Sequence, residues 1–196
     1  EVWQEALRIP AVKVIEKGKL RQDVWDLIFA NIRFDIVRHD MQAEIGACTI
    51  GERRFVELLG KYGRDHFEAH RDALFDATRR MMEAEIGKIP NGRYSGEGQV
   101  YYDGRHEGST FTIRVDIDVD DRKIRFDYSR TDAQTNGFVN GTFTSSASAT
   151  ILTLLQMINP DIPHNEGMVE PVEIVIPSGT ILNAAYAITG AVGWQF

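Results

Sequence analysis

One cysteine, Cys48, in 196 residues leaves no partner for an internal disulfide, so no cysteine framework holds this chain folded. No apolar run approaches the roughly 18 residues a membrane-spanning helix needs, and none has the form of a signal-peptide core. Clustered basic residues are missing too. The 22 Lys and Arg are scattered among 29 Asp and Glu for a formal net charge of -7, which speaks against a surface built to contact nucleic-acid phosphates. A G-x-S-x-G elbow, a Walker A loop and a G-x-G-x-x-G turn are also absent, so nucleotide chemistry cannot be argued from this chain. Together these absences lead us to expect a soluble, cytoplasmic protein that engages neither membrane nor nucleic acid.

What is present suffices for a core, since about 70% of the unfolded surface can be buried at this length. Residues 1–20 read as an extended arm, alternating around Pro10 and closing on Lys17-Gly18. Val24, Leu27, Ile28 and Ile32 predict a helix over 21–33, with Asp23 near the positive end of its dipole. A longer amphipathic helix follows, with Val37, Met41, Ile45, Cys48, Phe55, Leu59 and Tyr62 on one face and Arg38, Asp40, Glu44, Glu52 and Arg53 opposite. That face makes Cys48 an inert buried thiol, and Gly46 and Gly51 call for tight helix packing or a local break. Gly63 stops the helix, and another runs from about 65 to 85 through Phe67, Leu74, Ala77 and Met81. Residues 21–90 are therefore expected to form a helical hairpin.

The second half changes period. Phe111, Ile113, Val115, Ile117 and Val119 alternate with Thr112, Arg114, Asp116 and Asp118, one face buried and one wet. With flanking segments at 98–104 and 123–129 this predicts an antiparallel meander. A helix over 145–158 and a strand over 172–177 complete an α+β fold, with residues 91–185 as meander, helix and strand. The opening on Glu1 leads us to expect a piece of a longer chain. Residues 186–196, within "AAYAITGAVGWQF", are expected to be an atypical tail, truncated or frame-shifted.

Several residue groups tempt a chemical assignment. "DIDVDD" (116–121) starts like an EF-hand loop, but Asp121 stands where the sharp turn needs Gly and Asp127 where a bidentate Glu belongs, so a solvated strand face is the better reading. His66 and His70 are four apart, yet Phe67 follows the first where a zincin has Glu, and a two-His site needs outside ligands. His39, His106 and His164 are isolated and read as structural.

The strongest signal is "RFDYSRTDAQTNGFVNGTFTSS" (125–146), a long run of Ser, Thr, Asn, Gln and Gly leading into a helix that starts Ser145, Ser146, Ala147, Ser148. As a loop it supplies turns. As a site it is a pocket wall of neutral donors and acceptors, with Asp127 the charged group and small residues leaving helix N–H groups approachable.

"EALRIPAVKVIEKGKL", "DMQAEIGACTIGERRFVELLGKYG", "FDYSRTDAQTNGFVNGTF" and "DIPHNEGMVEPVEIVIPSGTILN" resemble, in order and at matching spacing, the B-type subunit of the hydantoinase/oxoprolinase family. That family includes ATP-dependent cyclic-amide hydrolases and the related acetone and acetophenone carboxylases. The resemblance covers residues 1 to about 185 and implies a middle slice of a much longer subunit, inactive alone. It further implies a partner A-type (hydantoinase A-like) subunit with an actin-like ATP-binding fold, and a divalent metal, manganese or similar, held by the parent subunit upstream of this segment; none of these 196 residues is a metal ligand by carry-over. The family's "D-F-S-G-T" falls on Asp127-Tyr128-Ser129-Arg130-Thr131, followed by Gln134, Gly137 and Asn140, and its "D-x-P-x-N-x-G" on Asp161, Pro163, Asn165 and Gly167. The resemblance thus implies catalytic roles for Asp127 and Asn140, and substrate contacts for Ser129, Arg130, Thr131, Gln134 and Asn165. Arg130 departs from the family's Gly, and could favour an anionic substrate or close the turn differently. Hydrolase and ketone carboxylase stay open, as do a non-catalytic scaffold and a free-standing small-ligand binding domain.

Overall fold

The computed structural model describes Ile9, residues 11–137 and residues 139–185, so the expected tail over 186–196 lies outside the described residues. The chain divides into two units, one up to Glu68 and the other from Ala69.

In the first unit β1 (Ile15–Glu16) and β2 (Lys19–Leu20) form a minimal antiparallel hairpin within the expected arm. Its turn places Lys17 at φ 51° and Gly18 at φ 75°, the pair of positive values a two-residue hairpin turn of matching twist requires. α1 (Gln22–Phe29) is shorter than the apolar spacing predicts: Asn31 donates its side-chain N–H to the Leu27 carbonyl at 2.7 Å, satisfying a terminal acceptor and ending the helix before Ile32. Trp25 and Ile28 are its buried face. α2 (Ile36–Tyr62) has the predicted span, but none of its residues is buried and Cys48 is exposed, not a buried thiol. Gly46 and Gly51 serve neither close packing nor a break: a Cβ at either would meet nothing within 4 Å, and the helix runs through both. Gly63, at φ 78°, ends α2 through its N–H bond to the Leu59 carbonyl. α3 (Arg64–Ile86) starts at the next residue, and Phe67 meets Phe55 edge-on at 5.2 Å between ring centres.

The second unit holds the core. A four-stranded sheet runs β3 (Gly92–Tyr101), β4 (Thr110–Asp120), β5 (Lys123–Asp127), β6 (Val172–Val175). The first three are the expected meander, but β6 returns through α4 (Phe143–Ile158) to lie parallel to β5, so the sheet is mixed. β3 starts earlier than the sequence suggests because Gly92, Gly96 and Gly98 dilute its β-propensity while the register with β4 still pairs every residue from Gly92 to Tyr101. Ile117 faces Phe126 and Val119 faces Ile124 across the β4–β5 ladder. These side chains pack with Ile151, Leu154 and Leu155 of α4 and Met82 and Ile86 of α3. At roughly 2 kcal/mol for each buried aliphatic side chain, this cluster dominates the unit's stability.

The opposite sheet face is wet and ionic, as the alternation predicts. Arg93 pairs with Asp118 at 2.7 Å, and Arg125 with Asp127 at 2.8 Å and Glu173 at 3.1 Å. "DIDVDD" is therefore a strand face lined with arginine partners.

Candidate functional site

The polar segment after β5 begins where the sheet runs out of strand. β5 pairs only Asp116–Asp120 of β4, which leaves the preceding stretch of β4 with one open edge. The chain turns back onto that edge. Asp127 makes the turn by accepting the Ser129 N–H at 2.8 Å. Buried Thr131 then accepts the Arg114 N–H at 3.1 Å and donates to its carbonyl at 3.0 Å, while Asp132 accepts the Thr112 N–H at 2.7 Å. Side chains thus replace a missing strand, which is one physical reason the segment is rich in hydrogen-bonding groups. Ser129 and Arg125 hold the Asp127 carboxyl below its ordinary range. Arg130 clasps Asp116 at 2.7 and 2.5 Å, so its guanidinium is committed to a neighbouring carboxylate.

The next stretch folds around a buried carboxylate that sequence reasoning passed over. Asp103, in the β3–β4 turn, is fully buried. Its Oδ1 accepts the N–H groups of Arg105 at 3.0 Å and His106 at 2.7 Å; its Oδ2 lies 2.7 Å from His106 Nδ1 and accepts the Thr135 hydroxyl at 2.6 Å. Burial alone would raise this carboxyl's pKa, but the bonds from Thr135, the His106 ring and the two backbone N–H groups outweigh it and hold the group well below the carboxylate range. Asn140 bridges the same loop, accepting the Thr135 N–H at 3.0 Å and donating to the carbonyls of Thr135 at 2.5 Å and Gly137 at 3.2 Å. Gly137 is obligatory here, since a Cβ would lie 2.3 Å from the Asp103 carbonyl oxygen. The signal that could have revealed this centre is Asp-Gly directly after a strand, a turn whose aspartate bonds backbone N–H groups downstream.

Beyond Asn140 the loop reaches α4, whose N-cap Thr142 accepts the Ser145 N–H at 3.2 Å. Ser146 donates to the Leu182 carbonyl at 2.7 Å, and the Tyr128 and Thr150 hydroxyls share a hydrogen bond at 2.9 Å. Ser145, Ser146, Thr150, Tyr128 and Leu182 line a cavity of about 670 Å³ between the sheet's apolar face and α4. The rest of its wall is mainly aliphatic, including Ile113, Val115, Leu154 and Met157. The small serines expected to leave α4's first turn approachable do face this space.

The seven residues singled out from the sequence do not form one constellation. Asp127, Ser129, Arg130 and Thr131 sit along the β4–β5 edge, and Asn140 joins the Asp103 centre. Gln134 accepts the Ala185 N–H at 2.6 Å. Asn165 lies elsewhere, capping a 3-10 turn (Glu166–Met168) and donating to buried Thr78 of α3 at 2.8 Å. None of the seven lines the cavity. Among the described residues no group of three or more His, Cys, Asp and Glu is placed to hold a metal ion.

The sequence profile described as Hydantoinase B/oxoprolinase matches residues 1–195. The chain belongs to this family. It is 34% identical over 187 residues to the beta subunit of the caprolactamase of Pseudomonas jessenii, covering 94% of this chain and 32% of that protein. It is 31% identical over 199 residues to the B-type subunit of a putative D-/L-hydantoinase of Pseudomonas sp. (strain NS671), covering 95% of this chain and 33% of that one. Among solved structures, that of the ATP-dependent caprolactamase from Pseudomonas jessenii superimposes with a TM-score of 0.86 at 32% identity, over 96% of this chain and 32% of that chain. The nucleotide-free acetone carboxylase structure shares the fold, with a TM-score of 0.76 at 19% identity over 91% of this chain and 25% of its own. The chain thus spans about a third of the length of these curated relatives. No helix among the described residues is long and apolar enough to cross a membrane.

Proposed function

We propose that this chain is a segment of the B-type subunit of an ATP-dependent enzyme that opens cyclic amides, and that its second unit contributes one wall of the substrate pocket. The observation that carries this reading is the cavity of about 670 Å³, whose mainly aliphatic wall is interspersed with hydroxyl-bearing side chains, in a family member a third identical to a caprolactamase chain. A lactam has the matching division. Its methylenes gain by burial against Val115, Ile117 and Leu154, while its one amide group needs donors and acceptors such as Ser145, Ser146 and the Tyr128–Thr150 pair. Asp127 and Asn140 enter as positioning residues that shape the loop leading to α4. ATP belongs to an A-type partner subunit in the cytoplasm, which activates the ring carbonyl. A divalent metal belongs to the part of the parent protein upstream of these residues. The 196 residues alone are inactive in this scheme.

The test is ATP turnover by the full-length protein assembled with its partner subunit, on lactams, hydantoins, 5-oxoproline, and ketones with bicarbonate. Turnover driven by a cyclic amide alone is the expected result; a requirement for bicarbonate plus ketone overturns ring opening in favour of carboxylation. Ala149→Phe probes the pocket separately, because Ala149 lines the cavity from an exposed position that tolerates a larger side chain. It is expected to raise KM about tenfold with kcat little changed, the signature of lost uniform binding. Unchanged KM would remove the cavity from the substrate site and leave a scaffold role.

A further inference from the structure

We propose that the cavity selects neutral cyclic amides and turns away those that carry a carboxylate, such as 5-oxoproline. This rests on the ring-opening reading above and narrows it to one substrate class.

Charge is the first observation. Among the described residues the cavity wall holds no Lys, Arg, His, Asp or Glu. Taking a carboxylate out of water needs a cation or several donors in exchange, and without them the cost falls on binding. Bulk does not decide the matter: a space of about 670 Å³ is of the size that encloses drug-sized ligands, so a small ring bearing a carboxylate would fit.

The direction of the hydroxyls is the second observation. Tyr94, Tyr128, Ser145, Ser146, Thr150 and Thr153 line the space, and each hydroxyl has one hydrogen to donate. Tyr94 gives its hydrogen to the Pro90 carbonyl at 2.7 Å, Ser146 to that of Leu182 at 2.7 Å, Thr150 to that of Ser146 at 2.9 Å and Thr153 to that of Ala149 at 2.8 Å. With the Thr150 hydrogen so used, Tyr128 is the donor in the bond the two share at 2.9 Å. These hydroxyls turn their hydrogens toward the protein and leave oxygen lone pairs for a ligand. Ser145 is the exception: it accepts from the Thr142 hydroxyl at 3.1 Å, which leaves its own hydrogen to offer.

The start of α4 does not reverse this. A helix N-terminus attracts anions through unpaired N–H groups. Of the first turn only Ser145 and Ser146 line the cavity, and their N–H groups are bonded to the Thr142 hydroxyl oxygen at 3.2 Å and the Thr142 carbonyl at 3.1 Å. A carboxylate only accepts hydrogen bonds, and this wall offers it the Ser145 hydroxyl and no positive charge. A neutral ring amide complements the same wall: its carbonyl can take the Ser145 hydrogen, its N–H has hydroxyl oxygens to donate to, and its methylenes meet aliphatic side chains.

The test uses the full-length protein assembled with its partner subunit and substrates that differ in charge. 5-Oxoproline is compared with its methyl ester, and hydantoin-5-acetic acid with its methyl ester, by ATP hydrolysis and ring opening. We expect kcat/KM for each ester to exceed that for its acid by about 100-fold or more, the scale of a charged group left without partners, with the difference in KM. Comparable values for acid and ester overturn the selection. Thr153→Lys supplies a cation at an exposed position of the wall and should raise kcat/KM for 5-oxoproline about fivefold with the thermal midpoint unchanged. An unchanged ratio of acid to ester in that variant overturns the charge argument. Ala149→Phe separates the two readings. An acid turned over as well as its ester, with a KM that still rises in Ala149→Phe, leaves the cavity as the substrate site and overturns the selection alone. KM values that ignore Ala149→Phe, or turnover that requires bicarbonate plus a ketone, overturn the ring-opening reading and the selection together.

Discussion

α2 and α4 present the same kind of amphipathic pattern and end in opposite environments. α4 buries Thr150, Ile151, Leu154 and Leu155 against a sheet and α3, whereas α2, almost twice as long, buries no residue at all. Phe55 and Tyr62 are exposed on the apolar stripe that the sequence displays plainly, and Ile50 and Val56 are exposed outside it. Helical periodicity tells which face wants cover; it carries no information on whether the cover lies within the same 196 residues. A chain spanning a third of its relatives' length can keep the pattern and leave the partner elsewhere.

The largest effect that would sharpen this contrast is a truncation on each helix. Leu155→Ala removes a side chain from the closed core and should cost about 3 kcal/mol. Ile50→Ala should cost under about 0.5 kcal/mol if this part of α2 is open to water in the full-length protein. Urea midpoints of the two variants read the difference. A loss at Ile50 comparable to that at Leu155 would show that α2 is covered by another part of the full-length protein, and the contrast would then belong to this segment alone.

A smaller but sharper probe is Gly167→Ala in the second unit. The added Cβ would lie 2.0 Å from the Phe75 carbonyl oxygen of α3, a backbone atom that cannot swing aside, so the 3-10 turn must lift off the helix at a cost of roughly 2–3 kcal/mol. Hydrogen exchange should show faster exchange around Thr78 and Asn165, whose side chains are joined there. Unchanged protection would mean that the turn docks more loosely than this geometry.

The same two places show how far the sequence could be read. Both long helices, the β4 alternation and α4 were visible because burial of one face imposes a period on many consecutive residues. The parallel return of β6 was not, because nothing in Val172–Val175 records which neighbour it will pair. Asp127, Thr131 and Asn140 were drawn from an unusual polar run, but their partners are backbone groups of Ser129, Arg114 and Thr135, which no side-chain pattern announces. Asp103 went unread and His106 was read as an isolated structural residue for the opposite reason: the residues sit three apart in a short turn, and only the burial of Asp103 turns them into a pair.

Gly46→Ala comes next in size and with the opposite sign. Since an added Cβ would meet nothing, this position in α2 should gain about 1 kcal/mol of helix propensity. A loss of stability in the urea midpoint would again point to a partner element seated on α2.

The smallest expected effect falls on Arg130, where the chain departs from its family's glycine. Arg130→Gly deletes an exposed ion pair with Asp116, and exposed pairs are worth under about 1 kcal/mol, so the thermal midpoint should barely move. Asp116 would feel the change more than the fold does, because Arg130 is what chiefly holds its carboxyl below the ordinary range while Asp127, directly opposite on β5, pushes it up. KM for a neutral lactam should stay constant, since a guanidinium clasped by a carboxylate has no charge to offer a substrate. A KM that rises tenfold at unchanged stability would mean that Arg130 releases Asp116 to meet an anionic ligand, and the wet face of the sheet would then replace the cavity as the place to look for substrate.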